Sequence, residues 1–327
     1  MEEQKKLNIL IIRNDHIGDL VNSTQIFREL KKFYPNSKVT VVASPLNSQL
    51  IIKNKYIDEF LILNMAEYTY KSIKEYYKMY KEVRKRKFDV GIDMRGSIMN
   101  SFFLLWLAGI KKRSSRIDHH RFIKYFVNIP IDMPYKTHVL NDNLTMINRT
   151  FNINSVNTTR EIYTDKSDDE RIENFMGDNK LKDKEFISLH IFTGYEPKQW
   201  PLQNWEKLIK YLEKFDKKVL IFGTKDDEDK LNNLKKLNKN SVLALNMNLR
   251  EMYLLLKKSK FFICQDGGPM HIAGVADVKH IVLFNPFIFG MPKVIPLKNA
   301  VILNATKFDM STISFEDVKK AVDGEMS

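Results

Sequence analysis

The sequence lacks most of the features that would assign it at a glance. Its 327 residues include one cysteine, Cys264, so no disulfide can form within the chain and a reducing, cytosolic setting is expected. The longest uncharged stretch, "GSIMNSFFLLWLAGI" (96–110), falls short of the ~18 apolar residues of a spanning helix and reads as a buried or interfacial helix. The opening "MEEQKKLN" is polar and leads straight into a strand-like run, so no secretory leader is expected. No G-x-G-x-x-G follows that run, which argues against a dinucleotide dehydrogenase. The seven histidines form no His-x-x-x-His pair, and the Asp pairs 168–169 and 226–227 sit in acidic helix starts, so neither a metal site nor a cofactor is expected. Arginine-glycine and aromatic-interleaved basic motifs are missing too, which leaves a nucleic-acid partner unsupported despite the charge.

What is present is ordinary in bulk and informative in pattern. With 43% hydrophobic and 28% charged residues the chain is globular in type, and its length suits two domains. The net charge of +13 favours anionic surroundings. The densest basic runs, "KEVRKRK" (81–87) and "KKRSSRIDHHRFIK" (111–124), read either as solvated faces or as surface turned toward anionic lipid or glycolipid.

Strand-like and helix-like segments alternate, the pattern of parallel sheets with covering helices. In the first half, strands are predicted at 7–12, 38–44, 60–64 and 88–94. One helix is predicted from Asp19 to Tyr34, with Val21, Ile26, Leu30 and Phe33 near one face and Pro35 as its stop. A second series has strands at 186–192, 218–223, 241–245, 261–266 and 280–285, with helices at 202–215, 226–237, 248–258 and 269–276. The polar stretch 151–170 places a linker near residue 165, giving domains 1–165 and 166–327, the second closing with a helix over 314–325 that starts at an N-capping Ser314.

Four short stretches carry chemistry. "IIRNDHIGDLVNST" (11–24) crowds Asn14, Asp15, His16, Gly18 and Asp19 where a strand passes into a helix, and the carboxyl ends of parallel strands are where open α/β sheets bind ligands. On residues alone Asp19 reads as a helix N-cap. "CQDGGPMHIAG" (264–274) offers an acid, two glycines, Pro269 at a first helical position and His271 one turn in, a phosphate-binding helix start or merely a well-capped one. Asp266 cannot ligate phosphate itself; it holds the loop or caps the helix. In "HIFTGYEPKQWPLQNW" (190–205), Thr193 and Gly194 follow a strand end and Lys198 precedes Trp200 and Pro201, so a tethered loop can hold an ammonium over a site. In "IFGTKDDED" (221–229), Gly223 ends a strand and acids follow, to accept a ribose hydroxyl or to stabilise the next helix N-terminus.

Taken together, these segments resemble the heptosyltransferases, glycosyltransferase family 9. The opening strand with its I-G-D turn, "DMRGSIMNSFFLLWLAG", "HVLNDNLTMI" (138–147), "PKQWPLQNWEKLI" as a K-x-W-P-x-x-x-W signature, and "FICQDGGPMHIAGVADVKHIVLFNP" as a D-[ST]-G-P-x-H-x-A loop occur in the family's order. The resemblance implies an α/β protein of GT-B fold, two Rossmann-like domains with parallel sheets facing across a cleft, the first binding acceptor and the second nucleotide sugar. It implies a metal-independent inverting transferase that moves a heptose or related sugar, typically from ADP-heptose, to a lipopolysaccharide core or other surface-glycan acceptor. The work would be done in the cytoplasm, in peripheral association with the inner membrane. Asp19 takes the general-base position. Lys198, Thr193, Gly194, Gly223, Asp266, Gly267, Gly268, Pro269, Met270 and His271 fall on the donor side, and Asn14, Asp15, His16 and Gly18 on the acceptor side. Gly267 departs from the family's Ser or Thr, which removes a side-chain hydroxyl. Rival readings are a nucleotide-sugar-binding protein without transferase activity, for which Gly267 would mark decay, and a sugar-nucleotide epimerase of the same fold, which would act on donor without acceptor.

Overall fold

Unbroken apolar runs such as Ile9–Ile12 and Val41–Ala43 leave no polar face for solvent, the mark of parallel strands covered by helices on both sides; every one of these residues is fully buried. The computed structural model of the chain describes residues 6–64, 70–118, 120–133, 137–288 and 298–327. The start of the opening segment (1–5) and His119 of the second basic run lie outside the described residues. The chain divides into two compact units, Met1–Tyr163 and Thr164–Ser327.

Unit one contains strands β1 (Asn8–Arg13), β2 (Lys38–Ala43), β3 (Glu59–Ile62), β4 (Val90–Asp93), β5 (Lys112–Arg116) and β6 (Ile129–Ile131), with helices α1 (Ile17–Val21), α2 (Thr24–Phe33), α3 (Tyr70–Arg86) and α4 (Val139–Phe151). Unit two contains α5 (Lys166–Asp178), β7 (Phe186–His190), α6 (Leu202–Leu212), β8 (Lys218–Gly223), α7 (Glu228–Lys235), β9 (Ser241–Leu245), α8 (Leu249–Lys258), β10 (Phe261–Gln265), α9 (Gly268–Ala276), β11 (His280–Phe284), β12 (Ala300–Asn304) and α10 (Phe315–Met326). Among the described residues each unit has a six-stranded parallel sheet, in the orders β3-β2-β1-β4-β5-β6 and β9-β8-β7-β10-β11-β12. The two orders are the same Rossmann order, so each sheet reverses direction at one place: between β1 and β4 in unit one, and between β7 and β10 in unit two. That reversal opens a crevice at the strands' carboxyl ends, where ligands of such sheets bind.

Two expectations need correction, and a third, the buried or interfacial helix over 96–110, holds in an unusual form. The single helix over 19–34 is two helices, broken at Asn22–Ser23. There the Asn143 amide donates to the Asn22 carbonyl at 2.6 Å, Ser23 donates to the Asp19 carbonyl at 2.8 Å, and Thr24 donates to the Val21 carbonyl at 2.9 Å, so side chains take carbonyls that a continuous helix would use. The basic run 111–124 is not simply a solvated face. Residues 112–116 of it are β5, where Ser114, Ser115 and Arg116 are buried and Arg113 turns inward to donate to the carbonyls of Phe126 and Ile110. The uncharged stretch 96–110 forms a π-helical segment, Asn100–Trp106, packed on β4, where a Cβ at Gly91 would lie 2.5 Å from Leu105. No helix among the described residues is long and apolar enough to cross a membrane.

The closing helix α10 begins at Ser314, whose hydroxyl accepts from the Asp317 N–H in a reciprocal capping box. Val318 and Val322 enter the core of unit two beside Trp200 and Trp205.

Candidate active site

At the β1/β4 reversal of unit one the sequence turns polar because the strands have left their cover. Arg13, the last residue of β1, is 1% exposed, yet it is the hub of the turn. Its Nη1 donates to the Met94 carbonyl at 2.8 Å and lies 3.1 Å from Asp15 Oδ2; its Nε donates to the Asp19 carbonyl at 3.2 Å, and Nη2 stands 3.5 Å from Asp19 Oδ1. One buried guanidinium therefore fixes both carboxylates. They differ in access: the Asp19 side chain is 35% exposed and that of Asp15 only 9%. Asp15 Oδ1 is buried with no hydrogen-bond partner among the described residues, and burial, opposed by Arg13, pushes the carboxyl up to about 7.

Asp19 is the third residue of α1, whose N-cap is His16. The N-cap reading of Asp19 is thus corrected: it stands within the first turn, where the helix dipole favours negative charge. His16 is exposed and Gly18 buried. Asn14 turns inward, accepting from Asn100 Nδ2 at 3.1 Å. Asn100 also donates to Asp93 Oδ1 at 3.1 Å, while Ser101, Ser115 and the Ser97 N–H donate to Asp93 Oδ2. Burial raises the Asp93 carboxyl above the usual range. Asn14 thus belongs to the network under the turn rather than to its surface.

At the β7/β10 reversal of unit two, Lys198 and Asp266 form an ion pair, from the loop after β7 to the loop after β10. Asp266 is 5% exposed and holds the loop; it does not cap α9, whose N-cap is Gly267. Gln265 ties the same two loops, accepting from the Trp200 N–H and donating to the Ile191 carbonyl. Gln199 braces the loop after β7 from within, accepting from the Thr193 N–H at 3.0 Å and donating to the Ile191 carbonyl at 2.8 Å. Trp200 donates to the Ile313 carbonyl at 2.8 Å and meets Trp205 edge to face at 5.2 Å, so both tryptophans of the signature are anchors of the lysine loop.

Pro269 lies in the first turn of α9, leaving backbone N–H groups there without helical partners. A Cβ at Gly194 would meet nothing within 4 Å, and one at Gly267 only Pro269 Cδ at 3.8 Å. His271 and Met270 are buried, Met270 completely, so Met270 offers its backbone alone. Gly223 ends β8 where a Cβ would sit 2.0 Å from a terminal methyl of Leu231, so any larger residue there makes that buried side chain shift. Burial at the end of β7 pushes His190 down to about 4.

Among the expected residues, the structure brings Asp15 and Asp19 together in one unit, and Lys198, Asp266, Gly267 and Pro269 together in the other. Sequence reasoning missed Arg13, Asp93 and Gln265. Each is a polar residue closing an apolar strand run, the same signal that drew attention to Asp266.

Comparison with known proteins bears on the family and the fold. The model of glycosyltransferase family 9 (heptosyltransferase) matches residues 76–308. A lipopolysaccharide heptosyltransferase 1 of Campylobacter coli is 22% identical and aligns over 97% of this chain and 98% of its own. The crystal structure of a family 9 glycosyl transferase from Veillonella parvula has a TM-score of 0.84 at 19% identity, covering 99% of this chain and 98% of that one. The E. coli heptosyltransferase WaaC with ADP has a TM-score of 0.78 at 15% identity, covering 98% and 100%. The two Rossmann-like units are those of the GT-B fold.

Proposed function

Because the chain belongs to glycosyltransferase family 9, the heptosyltransferases, we propose that it transfers a heptose from ADP-heptose to a lipopolysaccharide core or related surface-glycan acceptor, inverting the anomeric carbon. The observation that carries this reading is Asp19, a solvent-reaching carboxylate anchored from behind by the buried Arg13 at the point where a Rossmann sheet binds ligands. Attack on the anomeric carbon requires the acceptor hydroxyl to lose its proton as the new C–O bond forms and the bond to the diphosphate breaks. Asp19 receives that proton. Arg13 holds the carboxylate by its backbone and its side chain together, so position supplies much of the effect.

The leaving diphosphate carries the negative charge that the acceptor oxygen loses. Lys198 and the backbone N–H groups at the start of α9 stabilise it, and Asp266 keeps the lysine aimed at that helix start. The enzyme works at the cytoplasmic face of the inner membrane, where a lipid-borne acceptor is presented.

The direct test offers purified protein ADP-heptose, UDP- and GDP-sugars, each with and without a heptose-deficient core acceptor. Mass spectrometry should find one heptose added, with ADP released only when donor and acceptor are both present, and proton-coupled NMR should give the inverted anomer. Turnover of donor without acceptor, or no product with any donor, would overturn the reading.

A further inference from the structure

Unit one carries an array of aromatic rings that its core does not need. Trp106, at the end of the π-helical segment, is 46% exposed; Phe122 and Tyr125, on the 3-10 turn Arg121–Tyr125, are 58% and 65% exposed. They are one surface and not scattered accidents. Trp106 meets Phe126 at 6.1 Å between ring centroids, Phe126 meets Phe122 at 5.6 Å, and Phe122 meets Tyr125 at 5.2 Å. Exposed apolar rings in contact are costly in water and mark a surface that is covered in use.

The charges in the same segments say what covers it. Between residues 96 and 131 there are six lysines and arginines and a single acid, Asp118, which is already paired with Arg116 at 2.6 Å. Lys111, Arg121 and Lys124 are exposed, and the Lys124 ammonium stands 5.2 Å from the Tyr125 ring centroid. Amphipathic rings beside cations match a bilayer interface, where tryptophan and tyrosine settle at headgroup depth and lysine and arginine meet anionic phosphates. A second copy of the chain would bring the same cations face to face.

We propose that Trp106, Phe122 and Tyr125, with Lys111, Arg121 and Lys124, seat unit one on an anionic lipid bilayer. This deepens the reading of a membrane-borne acceptor by naming the surface that meets the lipid.

The test is co-sedimentation of the full chain, without donor or acceptor, with phosphatidylglycerol/phosphatidylcholine vesicles and with pure phosphatidylcholine vesicles. The natural protein should bind the mixed vesicles and lose binding in pure phosphatidylcholine. K111Q/K124Q should weaken binding about 25-fold, at about fivefold per cation, whereas K235Q/K236Q, the same charge change on exposed lysines outside the proposed surface, should weaken it less than about threefold. F122S/Y125S should weaken it by on the order of tenfold, the rings being exposed and outside the core. Equal losses in the two lysine pairs, unchanged binding in F122S/Y125S, or sedimentation as a dimer abolished by F122S/Y125S with vesicle binding intact would each overturn the proposal. Heptose transfer to a water-soluble core oligosaccharide is read separately, so failure at the membrane and failure of the transferase reading are distinct results.

Discussion

Replacing Asp15 with asparagine should make the protein more stable at pH 8, although it removes an ion-pair partner of Arg13. The side chain is only 9% exposed, one oxygen has no partner among the described residues, and the desolvation outweighs the arginine 3.1 Å away, so the group is lifted from its ordinary 3.8 to about 7. Holding it ionised in the folded state therefore costs about 4 kcal/mol at pH 8. The sign is that of a raised acid. Between 3.8 and 7 the native state holds a proton that the unfolded chain has released, so the stabilisation is complete below the lower value and is lost as pH rises through the upper one. Asparagine keeps the shape and never ionises. Urea midpoints for unit one, read by pulsed hydrogen exchange of the β1 amides at pH 5 to 8, should favour Asp15→Asn by about 1.5 kcal/mol at pH 5 and by about 4 kcal/mol at pH 8. A difference that stays constant over that range, or a variant less stable at every pH, would refute the argument.

Other consequences are as concrete. Gly267 has extended backbone, φ 172°, and a Cβ there would meet only Pro269 Cδ at 3.8 Å, so Gly267→Ser should fold normally and tighten ADP binding by up to about tenfold, one charge-assisted hydrogen bond; calorimetry giving equal or weaker affinity would show that the hydroxyl finds no phosphate. Lys198→Met leaves Asp266 buried and unpaired, which should lower stability by about 3 kcal/mol and weaken ADP binding. Adding Asp266→Asn should restore the melting temperature but not the affinity, and recovery of both would assign the lysine a purely structural role. Gly223→Ala forces a methyl against Leu231 and should cost about 1–3 kcal/mol by urea denaturation; an unchanged midpoint would mean that α7 simply moves away.

The two Rossmann sheets were legible wherever strands are buried on both faces, as at β1, β2 and β7 to β11. The missed strands fail that pattern for physical reasons. β5 reads Lys-Arg-Ser-Ser-Arg because its hydroxyls bond across to Thr150 and Asp93, a polarity that propensity cannot see as buried. β6 is three residues with a proline at the sheet edge, and β12 is an edge strand with no fully buried residue. In the site, Asp266 announced itself by standing where an apolar run ends, whereas Asp19 and Lys198, in the turns beyond β1 and β7, stood out only through the family resemblance. The Lys198–Asp266 pair and the Arg13 hub did not, because contacts between separate strand ends depend on which strands are neighbours, and sequence spacing does not encode that. Gly223, read as a donor-side glycine, meets a packing demand from Leu231 that no motif could express.

The role of Asp19 is tested most directly by single-turnover heptose transfer in Asp19→Asn beside ADP titration of the same variant. The expected result is ADP affinity within about twofold of the natural protein and a transfer rate lower by about 10²–10⁴, the span of general-base catalysis. A rate within tenfold of the natural one, at equal affinity, would place the proton acceptor elsewhere.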